Sequence, residues 1–145
     1  MGAGNAAKDK ASKLAAGLHA TVIRRSGGKI GQKFRGAPVL LLTTTGRKSG
    51  QSRTSPLLYL RDGDDIAVVA SYGGDDRFPA WYHNLVANPE VSAEVDGKKV
   101  QLRASVADAA TRARLWPELL TMYKTYESYQ KKTDREIPVV LLSPR

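Results

Sequence analysis

The sequence predicts an α+β fold in which a small barrel of largely antiparallel strands carries a few inserted helices. Five or six short apolar or β-branched runs recur along the chain, with turn residues between them. The chain has 145 residues, 41% of them apolar, which is the size and composition of one domain with one core. We therefore expect a barrel domain over residues 38–145, preceded by an N-terminal helix and arm over residues 1–37.

Three apolar runs in the first half of the barrel domain read as a meander of strands. They are VLLLTTT (Val39 to Thr45), RTSPLLYL (Arg53 to Leu60) and DIAVVAS (Asp65 to Ser71), separated by GRKSG and by an Asp62-Gly63 turn signal. Pro56 lacks a backbone donor, so the second strand is predicted to lie at an edge or to contain a bulge.

The second half of the domain alternates helices with strands. A short helix is predicted in AWYHNLVANP, ended by Asn88-Pro89, and a hairpin is predicted around Asp96-Gly97. Asp108 is a typical N-cap for a helix that Pro117 should break or kink, before a second helical piece that ends near Lys132. A last strand, IPVVLLS, closes the chain.

The N-terminal segment has the pattern of a basic amphipathic helix from about Lys8 to Arg25. Leu14, Leu18 and Val22 recur every four residues, with lysines on the other faces. Docking of this helix on its own domain is the simpler interpretation, and a helix at a membrane surface is the alternative.

Composition narrows the function classes. The chain has no cysteine, which excludes disulfides and thiolate chemistry, and its two histidines are far apart, so no metal site is expected. The formal net charge of +9 favours anionic partners such as nucleic acid, phosphate-bearing cofactors or acidic lipid. No run approaches the ~20 apolar residues of a membrane span and the N-terminus lacks a signal-peptide core, so a cytoplasmic location is expected.

A cluster of cations lies between the first two predicted strands. A tight turn needs glycine but no positive charge, yet Arg47, Lys48 and Arg53 stand beside Ser49 and Gly50. Backbone N–H groups and side-chain cations together suit a phosphate or carboxylate. The segment is not a P-loop, because GxxxxGK[ST] is absent. A solvated hairpin tip is the alternative interpretation.

Two further segments could line a pocket. Tyr123, Tyr126 and Tyr129 recur every three residues and so share one helix face, either as a pocket wall or packed on the barrel. In SYGGDDRFPAWYHNL, the glycines allow close backbone approach, and the amides that open the following helix could receive a negative group.

Three stretches together resemble a known family. LLLTTTGRKSGQSRTSPLLYL, VVASYGGDDRFPAWYHNLVANPEV and WPELLTMYKTYESYQKKTDREIPVVLL are similar, in this order, to the deazaflavin-dependent nitroreductase family of actinobacteria, which uses coenzyme F420 (8-hydroxy-5-deazaflavin). The resemblance extends from about Pro38 to the C-terminus. It implies a split β-barrel and hydride transfer from the reduced cofactor to a quinone such as menaquinone, an enone or a nitroaromatic.

The same resemblance implies roles for individual residues. The phosphate and glutamate tail of the cofactor would bind Arg47, Lys48, Ser49, Gly50 and Arg53. Its ring would contact Pro56, Ala70, Ser71, Tyr72 and Gly73, with support from Trp81 and Asn84. The acceptor would occupy a pocket formed by Tyr123, Tyr126 and Tyr129, where Ser71 or a tyrosine, Tyr126 before the others, would donate a hydrogen bond or the final proton.

Several alternatives stay open at this stage. An FMN-binding enzyme of the same barrel class would also place a phosphate on the GRKSG turn. A basic nucleic-acid-binding module fits the net charge, but the cations are scattered and no RNP or helix-turn-helix pattern is present, so no nucleic-acid partner is expected. Barrels of this type often form homodimers, and the basic N-terminal helix is consistent with peripheral contact at the inner face of the cell membrane.

Overall fold

A computed structural model describes residues 33–34 and 36–145 of the chain. The N-terminal helix predicted from Lys8 to Arg25 lies outside these residues. The strands are β1 (Lys33–Phe34), β2 (Ala37–Thr45), β3 (Ser52–Leu58), β4 (Leu60–Asp62), β5 (Asp65–Val69), β6 (Glu90–Val95), β7 (Lys98–Val106) and β8 (Val139–Pro144). The helices are α1 (Ala80–Ala87), α2 (Ala109–Met122) and α3 (Thr125–Lys131).

The strands form a ring of antiparallel pairs. Neighbours follow the order β2, β6, β7, β8, β5, while β3 pairs with β2 and β4 pairs with β5. Only Tyr59 separates β3 from β4, and its backbone N–H donates to the carbonyl of Pro38 at 3.1 Å. One bent segment therefore joins both ends of the sheet and closes the barrel, and the predicted α+β barrel is confirmed.

Alternation along the strands separates the barrel interior from its outer face. The interior holds the even-numbered residues of β2, β5 and β8: Leu40, Leu42, Ile66, Val68, Val140 and Leu142, all buried. The odd-numbered Ala67, Val69 and Val139 point outwards and pack with Leu115 and Leu119 of α2. Because side chains alternate along a strand, the outward-facing residues of β5 and β8 form the surface on which α2 packs. Each fully buried Leu or Val in this contact stabilises the fold by about 1.5–3 kcal/mol.

The predicted hairpin turn and the predicted edge strand are both present in the structure. Asp96 and Gly97 have φ of 53° and 78°, which is the left-handed pair that a two-residue hairpin requires, and Val95 pairs with Lys98 across them. Within the described residues β3 pairs with β2 alone, so Pro56 lies on an edge strand as predicted.

The helices follow the prediction except at one boundary. Asp108 caps α2 by accepting the backbone N–H of Thr111 at 2.8 Å, and this bond lowers the pKa of the Asp108 carboxyl. The helix continues past Pro117 to Met122, so the interruption expected at Pro117 lies instead at Tyr123. Buried Leu115 and Leu119, on either side of the proline, anchor both turns to the barrel. None of the helices described is long and apolar enough to cross a membrane.

Candidate active site

A cationic cleft of about 750 Å³ lies between the β2–β3 loop and helix α1. The side chains of Arg47, Lys48 and Arg53 are exposed there, and none of the residues that line the cleft is acidic. The lining consists of Gly46, Arg47, Lys48, Ser49, Arg53, Thr54, Ser55, Ala80, Trp81 and Asn84. Three cations without an acidic neighbour make this cleft suited to a polyanion.

Local backbone bonds explain the shape of the loop. The N–H of Gly46 donates to the carbonyl of Gln51 at 2.7 Å, and the N–H of Gly50 donates to the carbonyl of Gly46 at 2.8 Å. Gly50 has φ of +70°, and a Cβ on Gly46 would lie 2.6 Å from Ser49 Oγ. The turn therefore favours glycine at position 50 for its backbone conformation, and a side chain at position 46 would require Ser49 to move. Ser49 Oγ accepts the N–H of Gln51 at 3.2 Å, so this hydroxyl already has a structural role.

Asn84 ties the loop to helix α1. Its Oδ1 accepts the backbone N–H of Arg47 at 3.0 Å, and its Nδ2 donates to Thr44 Oγ1 at 3.2 Å. Helix α1 begins after Pro79 with no side-chain cap and no acidic residue in its first turn. The positive end of the helix dipole thus adds to the charge of the cleft, where Ala80 and Trp81 form part of the wall.

An aromatic pocket of about 300 Å³ lies further along β3. It brings together Tyr123, Tyr126 and Tyr129, whose ring centroids are 5.0–6.4 Å apart in edge-to-face pairs. The prediction of one shared helix face is wrong for Tyr123, because its extended backbone ends α2 while Tyr126 and Tyr129 lie on α3. Its lining consists of Phe34, Val39, Pro56, Leu57, Leu58, Val69, Ser71, Gly73, Tyr123, Tyr126 and Tyr129. Such a wall favours a flat apolar or aromatic guest with a few polar atoms.

Tyr126 is the most buried of the three tyrosines and also contacts Trp116, at 6.4 Å between ring centroids. Burial raises the pKa of its hydroxyl far above its ordinary value, and the neighbouring Tyr123 and Tyr129 raise it further. The Tyr126 hydroxyl is protonated at neutral pH, as an ordinary tyrosine is, and burial makes its ionisation still less favourable, so it is available as a hydrogen-bond donor.

The turn after β5 contributes Ser71 and Gly73 to the pocket lining. Ser71 Oγ accepts the N–H of Gly74 at 3.0 Å, which leaves the hydroxyl hydrogen of Ser71 free to donate elsewhere. Gly74 is buried with φ of +82°, and a Cβ there would lie 2.9 Å from the Cα of Tyr129. The turn thus packs directly against the backbone of α3.

A polar network holds α3 in place from behind. Gln130 Oε1 accepts the N–H of Ile137 at 2.9 Å and a guanidinium N–H of Arg112 at 3.1 Å. Arg112 also donates to the carbonyl of Ile137 at 2.9 Å and lies 4.3 Å from the ring centroid of Trp116. These bonds connect α3 to α2 and to the segment before β8, so Tyr126 and Tyr129 project from a supported helix.

The cleft and the pocket are consecutive along one strand. Thr54 and Ser55 of β3 line the cationic cleft, and the next residues, Pro56 and Leu57, line the aromatic pocket. One elongated ligand with an anionic end and a flat ring could therefore contact both regions.

Comparison with known proteins decides the family. The sequence model of the family described as F420H2-dependent quinone reductase matches residues 16–144. An F420H2-dependent quinone reductase of Mycobacterium tuberculosis (strain ATCC 25618 / H37Rv) is 46% identical over 132 residues, which cover 88% of this chain and 89% of that protein. The chain belongs to the F420H2-dependent quinone reductase family.

Solved structures agree with this assignment. An F420-H2 dependent reductase is 40% identical and has a TM-score of 0.68, over 73% of this chain and 94% of that one. A second chain, solved as a domain-swapped dimer, is 36% identical and has a TM-score of 0.71, over 87% and 95% of the two chains. The predicted split-barrel fold and the predicted F420-dependent oxidoreductase function are confirmed at the level of this family.

The structure brings most of the predicted site residues of this family member to the two regions. Arg47, Lys48, Ser49, Arg53, Trp81 and Asn84 line the cationic cleft; Pro56, Ser71, Gly73, Tyr123, Tyr126 and Tyr129 line the aromatic pocket. Gly50 shapes the loop without lining the cleft. Ala70 has its side chain in the barrel core, and Tyr72 lies under the guanidinium of Arg77, 5.2 Å from its ring centroid, so neither side chain lines the two regions.

Several lining residues were missed by sequence reasoning. In the pocket these are Phe34, Val39, Leu57 and Val69, and in the cleft Thr54, Ser55 and Ala80. Apolar strand residues such as Val39 and Val69 have the pattern of ordinary core residues. The alternation of side chains along a strand shows which residues face outwards, but not whether a helix covers them or a pocket lies over them. The position of Thr54, Ser55 and Leu57 in the sequence could have identified them, because residues that directly follow the cationic turn on one strand must lie near that turn.

Proposed function

We propose that this chain is an F420H2-dependent quinone reductase whose cationic cleft holds the anionic tail of the cofactor and whose aromatic pocket receives the acceptor. The single observation that carries the proposal is the continuity of the cleft and the pocket along Thr54 to Leu57 of β3.

The donor set of the cleft fits the tail. A phosphate and a glutamate tail need several positive charges, and Arg47, Lys48 and Arg53 face the same space beside the N-terminal end of α1. Arginine matches phosphate and carboxylate with paired N–H donors, while lysine contributes a compact charge. The volume of about 750 Å³ leaves room for a tail that carries more than one anionic group.

The walls of the pocket fit a flat ring and a quinone. When bound, reduced F420 supplies a hydride. A quinone that accepts a hydride develops negative charge on an oxygen atom. The protein can stabilise that charge with the hydroxyls of Ser71 and Tyr126, which line the pocket and are both able to donate. The apolar side chains of Leu57 and Val69 exclude water and strengthen these hydrogen bonds.

The proposal extends to partners. Menaquinone resides in the cell membrane, so the basic segment Lys8 to Arg25 would make peripheral contact at the inner face of that membrane, where this acceptor is found. A homodimer is supported by the relative solved as a domain-swapped dimer. Flotation with liposomes and light scattering would test the two parts separately.

The direct test of the cofactor assignment is a fluorescence titration of the purified protein with oxidised F420, run in parallel with FMN and a short DNA duplex. We expect saturable binding of F420 and none of the other two. Binding of FMN alone would keep the barrel and overturn the cofactor, whereas salt-sensitive DNA binding without F420 binding would favour a nucleic-acid module.

A further inference from the structure

Two contacts hold residues 71–76 against helix α3, which carries Tyr126 and Tyr129, and against the residues that follow this helix. The first is the close approach of Gly74 to Tyr129, where a Cβ would lie 2.9 Å from the Cα and 3.0 Å from the carbonyl oxygen of the tyrosine. The second lies two residues further along: the hydroxyl of Thr133 donates to Asp76 Oδ1 at 2.6 Å. Thr133 is buried and lies two residues after the end of α3, whereas Asp76 is exposed.

These contacts join two of the segments that line the aromatic pocket. Ser71 and Gly73 form one wall, and Tyr126 and Tyr129 form another. The distance between the walls therefore depends on how firmly residues 71–76 are attached to α3 and Thr133. A charge-assisted hydrogen bond of 2.6 Å provides a polar link between them.

We propose that the Asp76–Thr133 bond is a clamp that sets the width of the acceptor pocket and so determines which quinones bind. This inference rests on the proposed function of the pocket. Asp76 is a positioning residue, because it lies outside the pocket lining and acts through the turn that begins at Ser71. When the Asp76–Thr133 bond is present, the pocket favours small, flat quinones that touch both walls. When the bond is lost, the walls can separate and small quinones lose contacts.

The variant that isolates this bond is Asp76→Ala. Thr133 Oγ1 also accepts the N–H of Arg135 at 3.3 Å, so Thr133→Val would remove two hydrogen bonds at once. Asp76→Asn keeps an acceptor oxygen for the Thr133 hydroxyl and should therefore keep the quinone affinity of the wild-type protein. Asp134→Ala removes an exposed carboxylate that no described contact links to the pocket, and is the matched control for charge.

Binding of the acceptor can be measured without turnover. Menadione, a small naphthoquinone, should quench the fluorescence of Trp116, which packs against Tyr126. For Asp76→Ala we expect its Kd without cofactor and its KM with F420H2 to rise about fivefold, with kcat and the Kd of F420 unchanged. A naphthoquinone with a bulky side chain should lose less affinity. Asp76→Asn and Asp134→Ala should match the wild-type protein.

Three results would overturn the clamp. They are an unchanged menadione Kd in Asp76→Ala, an equal loss for small and bulky quinones, and an equal loss in Asp134→Ala. If Asp76→Ala also lowered thermal stability, the double variant Asp76→Ala/Thr133→Val would separate loss of the clamp from general destabilisation. If the two residues act through one bond, the double variant binds menadione no more weakly than Thr133→Val alone. Additive losses of affinity would refute the clamp. A wild-type protein that fails to reduce menadione with F420H2 would refute the proposed function itself, while the cofactor-free Kd values still test the clamp.

Discussion

The backbone N–H of Arg47 donates a hydrogen bond at 3.0 Å to the side chain of Asn84, 37 residues further along the chain. The same buried side chain donates to Thr44 at the end of β2. One amide thus connects the cationic loop, its supporting strand and helix α1. The position of the predicted tail-binding cations therefore depends on a residue of the opposite wall.

Replacement of Asn84 by alanine should disturb both stability and cofactor binding. Loss of one buried and one partly buried hydrogen bond is expected to lower the free energy of unfolding by about 1–3 kcal/mol. Because the loop loses its attachment, the Kd of F420 should rise about tenfold. Thermal unfolding and a fluorescence titration measure the two effects. Asn88→Ala is the control, since Asn88 ends the same helix in an exposed position; an F420 affinity in Asn84→Ala equal to that of wild type would contradict the account.

The cations of the loop should act through charge. Lys48→Ala and Arg53→Ala are each expected to weaken F420 binding about threefold to tenfold at low salt, and by less at high salt because ions screen exposed charges. Lys98→Ala, an exposed cation on the β6–β7 hairpin, should have no effect. The measurement is the Kd of F420 against ionic strength. A tail-less deazaflavin should be insensitive to Lys48→Ala, and an equal loss for that compound would refute the assignment of the tail.

Tyr126 should make the protein sensitive to alkali. Burial raises the pKa of the Tyr126 hydroxyl in the folded chain, so above pH of about 10 the unfolded chain releases this proton first. The stabilising contribution is complete below that pH and is lost as the pH rises towards the folded-state pKa. Tyr126→Phe should flatten the decline of unfolding free energy above pH 10, as measured by urea titration. A residual slope is expected from Tyr59, whose pKa burial also raises. An unchanged slope would show that Tyr126 is not buried.

Gly74 should tolerate no side chain, for two separable reasons. Gly74→Ala must adopt φ of +82° and place a Cβ 2.9 Å from the Cα of Tyr129. Gly63→Ala meets a φ of +60° but has no atom within 4 Å, so it carries only the backbone cost of about 1–2 kcal/mol. We expect the first variant to lose about 1–3 kcal/mol more than the second in thermal unfolding. Equal losses would indicate that the turn does not pack on α3.

Local chemistry explains which parts of the fold were predictable. The Asp96-Gly97 turn and the Asp108 cap are decided by a few adjacent residues, and both lie where the sequence indicates. The end of α2 is decided by packing instead. Pro117 is unfavourable in a helix, but buried Leu115 and Leu119 keep the chain helical around it, and the interruption falls at Tyr123.

The residues of the candidate site also differ in how far the sequence predicts them. Charged and aromatic residues in unusual positions, such as Lys48 and Tyr126, were recognisable from sequence because a turn or a core rarely needs them. Val39 and Leu57 were not, because apolar strand residues have the same pattern whether they face a pocket or a covered core. The Asp76–Thr133 bond joins residues 57 positions apart, and such a pair becomes visible only in the folded chain.

Quinone reduction can be measured directly by mixing the purified protein with F420H2 and menadione and following the return of the absorbance of oxidised F420. We expect oxidation that needs both protein and quinone, and that slows in Arg53→Ala at low F420H2 but recovers at saturating concentrations. Oxidation no faster than in a protein-free control, under conditions where F420 binds, would contradict the assignment of this chain as a quinone reductase.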